Sequence, residues 1–300
     1  MSSLWKKTLG IAGVVIPTWL AIYAWPPKEK TTPFNYEKQD RPLNIAHRGG
    51  CALAPEETLE AFARSAQAGA DMFEYDVHIT KDGYLIASHD PTVDRITDGS
   101  GYINQLTLTE IKSFDAGVTF QDLEGNYPYQ DQGVQLATVE EIFLLFPHTP
   151  AVIELKDTND PALYEDLIQE MWRLIQKYHM EDKVVIGSFD HKINRRFKEV
   201  SQGQVAIGAG ESEATSYLTR MILRLNGIAH TDAQAFQLPT NQHGLDLTQK
   251  NIINGSRQRG IDVYYWTIND EETMRDLIAK GVDGIMTDNP ELLEKVLDEG

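Results

Sequence analysis

Cysteine is nearly missing from this sequence. Cys51 is the one thiol among 300 residues, so no disulfide can form within the chain and the redox compartment stays open. Positive charge is scarce as well: 27 Lys and Arg face 45 Asp and Glu, a formal charge of −18. A field of that sign repels phosphate backbones. It excludes broad nucleic-acid binding, and any phosphate-bearing substrate must then meet a local basic patch or a bound metal ion. Glycine and proline, at 22 and 13, are ordinary beside 41% hydrophobic residues, which excludes collagen-like, low-complexity and disordered chains. No internal repeat is visible. No strand end carries a serine or cysteine elbow, so simple peptide hydrolysis fits poorly.

What is present begins with an uncharged stretch, Thr8 to Trp25, between Lys6–Lys7 and Lys28–Lys30. As a helix it would be roughly 27 Å long, just short of a hydrocarbon core. Trp19, Tyr23 and Trp25 sit where an interfacial aromatic belt belongs. The segment reads as a transmembrane or signal-anchor helix within residues 1–30. A cleaved signal peptide is the alternative, though Ile22 and Ala24 make a poor small-x-small site. Lysines on both flanks leave the orientation open. Residues 31–42 read as a polar, proline-containing linker and 43–300 as the catalytic domain.

From Leu43 onward, short apolar runs alternate with helix-like stretches, the pattern of βα units on a parallel sheet. Nine candidate strands are one too many for a closed eight-stranded barrel. The surplus one is Leu85–Ser88, because only Lys81-Asp82-Gly83 and Tyr84 separate it from the second strand. That connection permits a hairpin but no parallel crossover. The fold expected is therefore an α/β (β/α)8 TIM barrel with a β-hairpin excursion after strand 2.

Barrel chemistry gathers at the carboxyl ends of the strands. Read in order, those ends offer His47-Arg48, Glu74 and Asp76, His89-Asp90, Glu154 and Lys156, and Trp266. The i, i+2 spacing of Glu74/Asp76 and of Glu154/Lys156 turns each pair to one side. Three converging carboxylates cannot stay ionised there unpaired, and they suit one hard divalent cation, Mg²⁺ or Ca²⁺. The plain alternative is a set of internal salt bridges, Glu154–Lys156 and Arg48–Glu74. The two strand-end histidines weigh against it, since two imidazoles can serve as acid and base across a scissile bond. With Arg48 and Lys156 to hold an anion, the set fits phosphodiester hydrolysis. His148, His179, His191, His230 and His243 are read as structural or solvated, and so is His78, as one residue out of phase with the acids. Cys51 lacks a placed base and is discounted as a nucleophile.

The ordered motifs His47-Arg48-Gly49, Pro55-Glu56-Glu57-Thr58, Gly69-Ala70-Asp71, Glu74-Tyr75-Asp76, Lys81-Asp82-Gly83, His89-Asp90, Glu154-Leu155-Lys156, Tyr265-Trp266-Thr267 and Asp283-Gly284 through Asp288 resemble the glycerophosphodiester phosphodiesterase family. The resemblance runs from residue 43 to about 297. It implies a barrel with one catalytic centre and one divalent ion. Carried over, it makes His47 and His89 the general acid and base, and Glu74, Asp76 and Glu154 the metal ligands. Arg48 and Lys156 become phosphate binders, and Trp266 lines the mouth. One departure is Glu57, where the family usually has Asn: its charge either repels an anionic substrate or adds a metal contact.

The expected substrate is a glycerophosphodiester such as glycerophosphocholine or glycerophosphoethanolamine, split to glycerol 3-phosphate and an alcohol. The anchor and Gly49-Gly50-Cys51 also resemble a membrane branch acting as lysophospholipase D. The stripe Tyr217, Leu218, Met221, Ile222, Leu225 beside Arg220 and Arg224 is either a barrel helix covering its strand or a lipid-touching face. A sphingomyelinase-D-like lyase would share the histidines and acids but end at a cyclic phosphate. A non-catalytic binding protein would be favoured by loss of either histidine, and both are present. The oligomeric state is not legible.

Overall fold

The computed structural model describes residues 34–36 and 40–299. Its strands are β1 (Leu43–Ala46), β2 (Met72–Ile79), β3 (Leu85–Ala87), β4 (Ala151–Leu155), β5 (Val184–Gly187), β6 (Ala206–Ile207), β7 (Ala235–Leu238), β8 (Asn241–Gln242), β9 (Leu245–Asp246), β10 (Asp262–Tyr265) and β11 (Gly284–Thr287). Among the described residues the helices are α1 (Leu59–Gln67), α2 (Leu108–Ile111), α3 (Val139–Leu145), α4 (Tyr164–Tyr178), α5 (His191–Val200), α6 (Glu211–Ile222), α7 (Lys250–Arg257), α8 (Glu271–Lys280) and α9 (Pro290–Asp298).

Pairing runs β6-β5-β4-β2-β1-β11-β10-β7, parallel throughout, and a parallel bridge between Gly208 and Ala235 brings the two ends together. The result is a nearly closed eight-stranded parallel barrel, as the sequence pattern predicts. β3 stands outside the ring, antiparallel to β2 with Val77 opposite Ala87, so the hairpin excursion is also observed. The hairpin of β8 and β9 is an element the sequence reading did not contain. Its four residues, partly to fully exposed, carry no apolar alternation that would announce a strand.

Alternation along the strands sorts two kinds of core. Tyr75, Val77, Ile153, Leu155 and Ile186 face outward into the helix layer. Leu43, Ile45, Met72, Val152, Val185, Ala206, Tyr264 and Met286 face inward and fill the barrel floor. The outer layer is locked by aromatic contacts: the Phe62 ring lies 5.0 Å from Phe73 and 5.5 Å from Tyr75. Each such pair contributes about 0.5–1.5 kcal/mol beyond its buried area. The segment between β3 and β4 carries its own small core, in which Val93, Ile96, Ile103 and Ile111 close over Ile86.

Helix α6 spends its apolar stripe on the barrel. Tyr217, Leu218 and Met221 are buried, and the Arg220 guanidinium turns back onto Ser216 of its own helix. Of the stripe considered from the sequence, those three apolar residues cover the barrel, while Ile222 and Leu225 are half-buried.

The sequence stretch 8–25, expected as a membrane helix, lies outside the described residues. Among those that are described, no helix is long and apolar enough to cross a membrane. Six residues of the 31–42 linker are described, 34–36 and 40–42, and the first stretch docks: Phe34 is buried in the barrel-floor cluster, and the Tyr36 hydroxyl donates to Asp262 at 3.1 Å.

Candidate active site

The inward parity that fills the floor with Ile45, Met72, Val152, Tyr264 and Met286 continues upward into polar residues. Two positions further along each strand stand His47, Glu74, Glu154, Trp266 and Asp288, with Asp76 and Lys156 another pleat above. The β2–β4 register sets Asp76 directly opposite Glu154. All eight residues expected from the sequence (His47, Arg48, Glu74, Asp76, His89, Glu154, Lys156 and Trp266) line one cavity of about 300 Å³.

His47 closes β1, and the chain then folds back on itself. Gly50 N donates to His47 O at 2.8 Å with φ of +89°. A Cβ at residue 50 would meet Ser65 Oγ at 2.0 Å, so only glycine fits. His47 Nδ1 lies 2.6 Å from Asp288 Oδ1, and Nε2 lies 4.0 Å from Glu74 Oε2. Burial alone pulls this imidazole down, but the hydrogen bond to Asp288 and the charges of Glu74 and Asp288 outweigh it. Its pKa ends above the ordinary value. Asp288 is fixed in turn by Asn269 Nδ2, which donates to its other oxygen at 2.6 Å.

His89 has the same construction. Its Nδ1 sits 2.9 Å from Asp90 Oδ1, and Arg95 Nε donates to Asp90 Oδ2 at 2.5 Å. Arg95 also donates to both oxygens of Glu56, at 2.6 and 3.0 Å, and Glu56 reaches back to Arg48 Nη1 at 3.4 Å. Each imidazole is thus held through Nδ1 by a carboxylate, leaving Nε2 as the working nitrogen.

The three acids are deeply buried: Glu74, Asp76 and Glu154 are 4%, 2% and 8% exposed. Glu74 accepts from Arg48 N at 3.0 Å. Lys156 Nζ lies 3.2 Å from Asp76 Oδ1 and 3.1 Å from Glu154 Oε1. With the ammonium between them, the acids share one rim, but their oxygens do not all lie within 4.8 Å of one another. Positive charge is insufficient all the same. Burial and the neighbouring Asp76 charge push Glu74 up to about 7 and Glu154 up to about 8, against the help of His47 and Lys156. Buried hard-oxygen donors from two adjacent strands, short of countercharge, fit a divalent cation of the Mg²⁺ or Ca²⁺ type. Lys156 keeps its proton, because the two acids overcome the cost of its burial.

One expectation is corrected here, and Glu57 takes a buried place that the sequence did not suggest. His78 shares the parity of Glu74 and Asp76, so it faces the same side and is not out of phase. It is nonetheless a structural imidazole, bridging Ser88 O at 2.9 Å and Thr158 Oγ1 at 3.0 Å, with its pKa lowered by burial to about 4. Glu57, whose charge was the open question, does not line the cavity. It is fully buried at a positive φ, its Oε1 accepts from Asp76 N at 3.1 Å, and burial beside Asp76 and Glu74 raises its pKa far above the carboxylate range. Its second oxygen, Oε2, is buried without a hydrogen-bond partner among the described residues. Cys51 does not serve as a nucleophile either, since burial and Asp288 push its thiol up, away from the thiolate.

Sequence reasoning gave Asp288, Asn269 and Arg95 no role. Asp288 could have been found, for it closes the eighth barrel strand beside the first, where the ring brings it to His47. If it orients His47, Asp288→Asn lowers kcat by about 10–100-fold. It also moves the limb of the pH profile that reports His47 to lower pH, because the charge favouring the imidazolium is gone. An unmoved limb would separate Asp288 from His47.

The sequence profile described as the glycerophosphoryl diester phosphodiesterase family matches residues 47–292. The chain belongs to that family. A glycerophosphodiester phosphodiesterase of Caldanaerobacter subterraneus subsp. tengcongensis is 32% identical over 258 residues, covering 86% of this chain and 98% of that one. A human lysophospholipase D, GDPD1, is 28% identical and covers 89% of this chain and 90% of its own. An Oleispira antarctica phosphodiesterase, solved with the product sn-glycerol-3-phosphate, superposes with a TM-score of 0.70 at 25% identity, over 86% of this chain and 97% of that one. Family membership thus joins the barrel and the cavity to one class of enzyme.

Proposed function

We propose that this chain is a cation-dependent phosphodiesterase that hydrolyses glycerophosphodiesters, such as glycerophosphocholine or glycerophosphoethanolamine, to glycerol 3-phosphate and an alcohol. The observation that carries the reading is the meeting of all eight predicted side chains on a single cavity in an otherwise acidic protein. The relatives' activity and the product held by the Oleispira enzyme support it.

In this reading Glu74, Asp76 and Glu154 hold the divalent ion. When bound, it neutralises the acids and stabilises charge developing on the phosphoryl oxygens. Arg48 and Lys156 bind those oxygens through cationic donors. Arg48 turns its guanidinium from Glu56 and Asp76, and Lys156 lifts its ammonium from between Asp76 and Glu154. One histidine removes a proton at Nε2 from the attacking water as its oxygen bonds to phosphorus, while the other donates from Nε2 to the alkoxide that leaves as its P–O bond breaks. Asp288 and Asp90 hold the two rings and stabilise whichever is protonated. Asp90 is well placed to do so, because its bonds to His89 and Arg95 outweigh burial and keep its pKa below the usual range.

A second reading has a specific observation behind it. One wall of the cavity is apolar, built by Phe189, Leu218, Leu238, Pro239 and Trp266. Phe189 is 46% exposed and meets Trp266 edge-on at 6.3 Å. Such a wall would take an acyl chain, as a lysophospholipase D requires. Choline release from glycerophosphocholine and from lysophosphatidylcholine, compared side by side, separates the two. We expect the higher kcat/KM with glycerophosphocholine and little loss in Phe189→Ala. Preference for the lysolipid, lost in Phe189→Ala, would reverse the assignment.

Residues 8–25 are proposed as a single membrane anchor, on composition alone. Full-length protein should sediment with membranes, and protein lacking residues 1–30 should not.

A further inference from the structure

The turn after β1 brings a third kind of ligand beside His47 and Asp288. Gly50 N and Cys51 N both approach His47 O, at 2.8 and 3.4 Å, which sets Cys51 one tight turn beyond His47. Ala52 N donates to Asp288 O at 2.9 Å and pins that turn to the end of β11. His47, Cys51 and Asp288 consequently have their three ligand atoms within 4.8 Å of one another, unlike any other such group among the described residues.

We propose that His47, Cys51 and Asp288 form a second metal site, on the Nδ1 side of His47 while Nε2 faces the carboxylate rim, and suited to Zn²⁺. A nitrogen, a sulfur and an oxygen donor suit a borderline ion in a tetrahedron completed by water, whereas Mg²⁺ and Ca²⁺ prefer the all-oxygen rim. Ligand atoms around tetrahedral Zn²⁺ stand roughly 3.3–3.6 Å apart. The 2.6 Å contact between His47 Nδ1 and Asp288 Oδ1 therefore opens by about 1 Å. The Cys51 thiol releases its proton to solvent as the S–Zn bond forms. Thiolate and carboxylate then neutralise the ion, which suits a partly buried position. Asn269 stays on the second oxygen of Asp288 and holds that ligand in place.

Occupation has a consequence for turnover that rests on the role given to His47. Metal on Nδ1 fixes the ring as the neutral Nε2–H form, which cannot accept a proton at Nε2 and is a far weaker donor than the imidazolium, so zinc blocks either role of His47 even when the carboxylate rim is saturated with Mg²⁺.

Reduced, full-length protein is titrated with Co²⁺ as a spectroscopic substitute and with Zn²⁺ in the presence of saturating Mg²⁺. A thiolate-to-cobalt charge-transfer band is expected in the parent and in Glu154→Gln, which disables only the rim, and none in Cys51→Ala. The zinc concentration for half-inhibition should rise at least about 10–100-fold in Cys51→Ala, the cost already typical of losing a group that merely supports a ligand. A parent without the band, or equal zinc sensitivity in parent and Cys51→Ala, overturns the site. A cobalt band without zinc inhibition leaves the site standing and overturns the acid–base reading of His47.

Discussion

Alanine at His47 or at His89 lowers kcat on glycerophosphocholine by about 10²–10⁴-fold, with the circular dichroism spectrum and thermal midpoint little changed. The size follows from the division of labour. Attack and departure each need one proton moved, and among the described residues lining the cavity no other titratable side chain has an imidazole nitrogen held by a carboxylate. The fold should survive because both side chains sit at a strand end or loop, partly exposed, tied mainly to carboxylates. Since the two rings act as one unit, the double variant is expected to lose little more than either single one. Full turnover in either single variant would remove that histidine from the chemistry.

Glu154→Gln is the second large effect, and it separates function from stability. Gln keeps the shape but removes a charge from a rim that needs all three to hold a cation, so turnover falls by several kcal/mol of barrier, about 10³-fold. Stability moves the other way when cation is withheld. Burial beside Asp76 raises the folded-state pKa of Glu154 to about 8, above its value in the unfolded chain. The carboxyl therefore favours the fold while protonated and has lost that advantage once pH rises through about 8. Above that pH, cation-free Glu154→Gln should melt higher than the cation-free parent, and added Mg²⁺ should raise the midpoint of the parent more than that of the variant. A variant that keeps its turnover, or a parent whose midpoint ignores Mg²⁺, would show that the carboxylates are merely salt-bridged to Lys156 and Arg48.

Much of this was legible in the sequence because it depends on period-two alternation. Glu74/Asp76 and Glu154/Lys156 announce their shared face by spacing, and a parallel sheet keeps that face pointing into the barrel. The hairpin of β2 and β3 followed from a connection too short for a crossover. The misses have physical reasons of their own. Asp288 acts on a residue 241 positions away, a contact that exists only because β11 returns beside β1. Glu57 reads as a surplus surface charge in one dimension, and only the fold shows it completely buried against Asp76 N, where burial and the neighbouring acids raise its pKa. The small core over Ile86 stayed hidden because its apolar residues, among them Val93, Ile96, Ile103, Ile111 and Val134, are spread along a largely irregular stretch with no helical or strand period.

Phosphorus-31 NMR of full-length protein with glycerophosphocholine, with Mg²⁺ or Ca²⁺ in one arm and EDTA in the other, reads the central reaction directly. The expected spectrum shows glycerol 3-phosphate accumulating with cation and no conversion after chelation. Undiminished turnover in EDTA, or a cyclic phosphate as the end product, would contradict hydrolysis by a caged cation and two poised imidazoles.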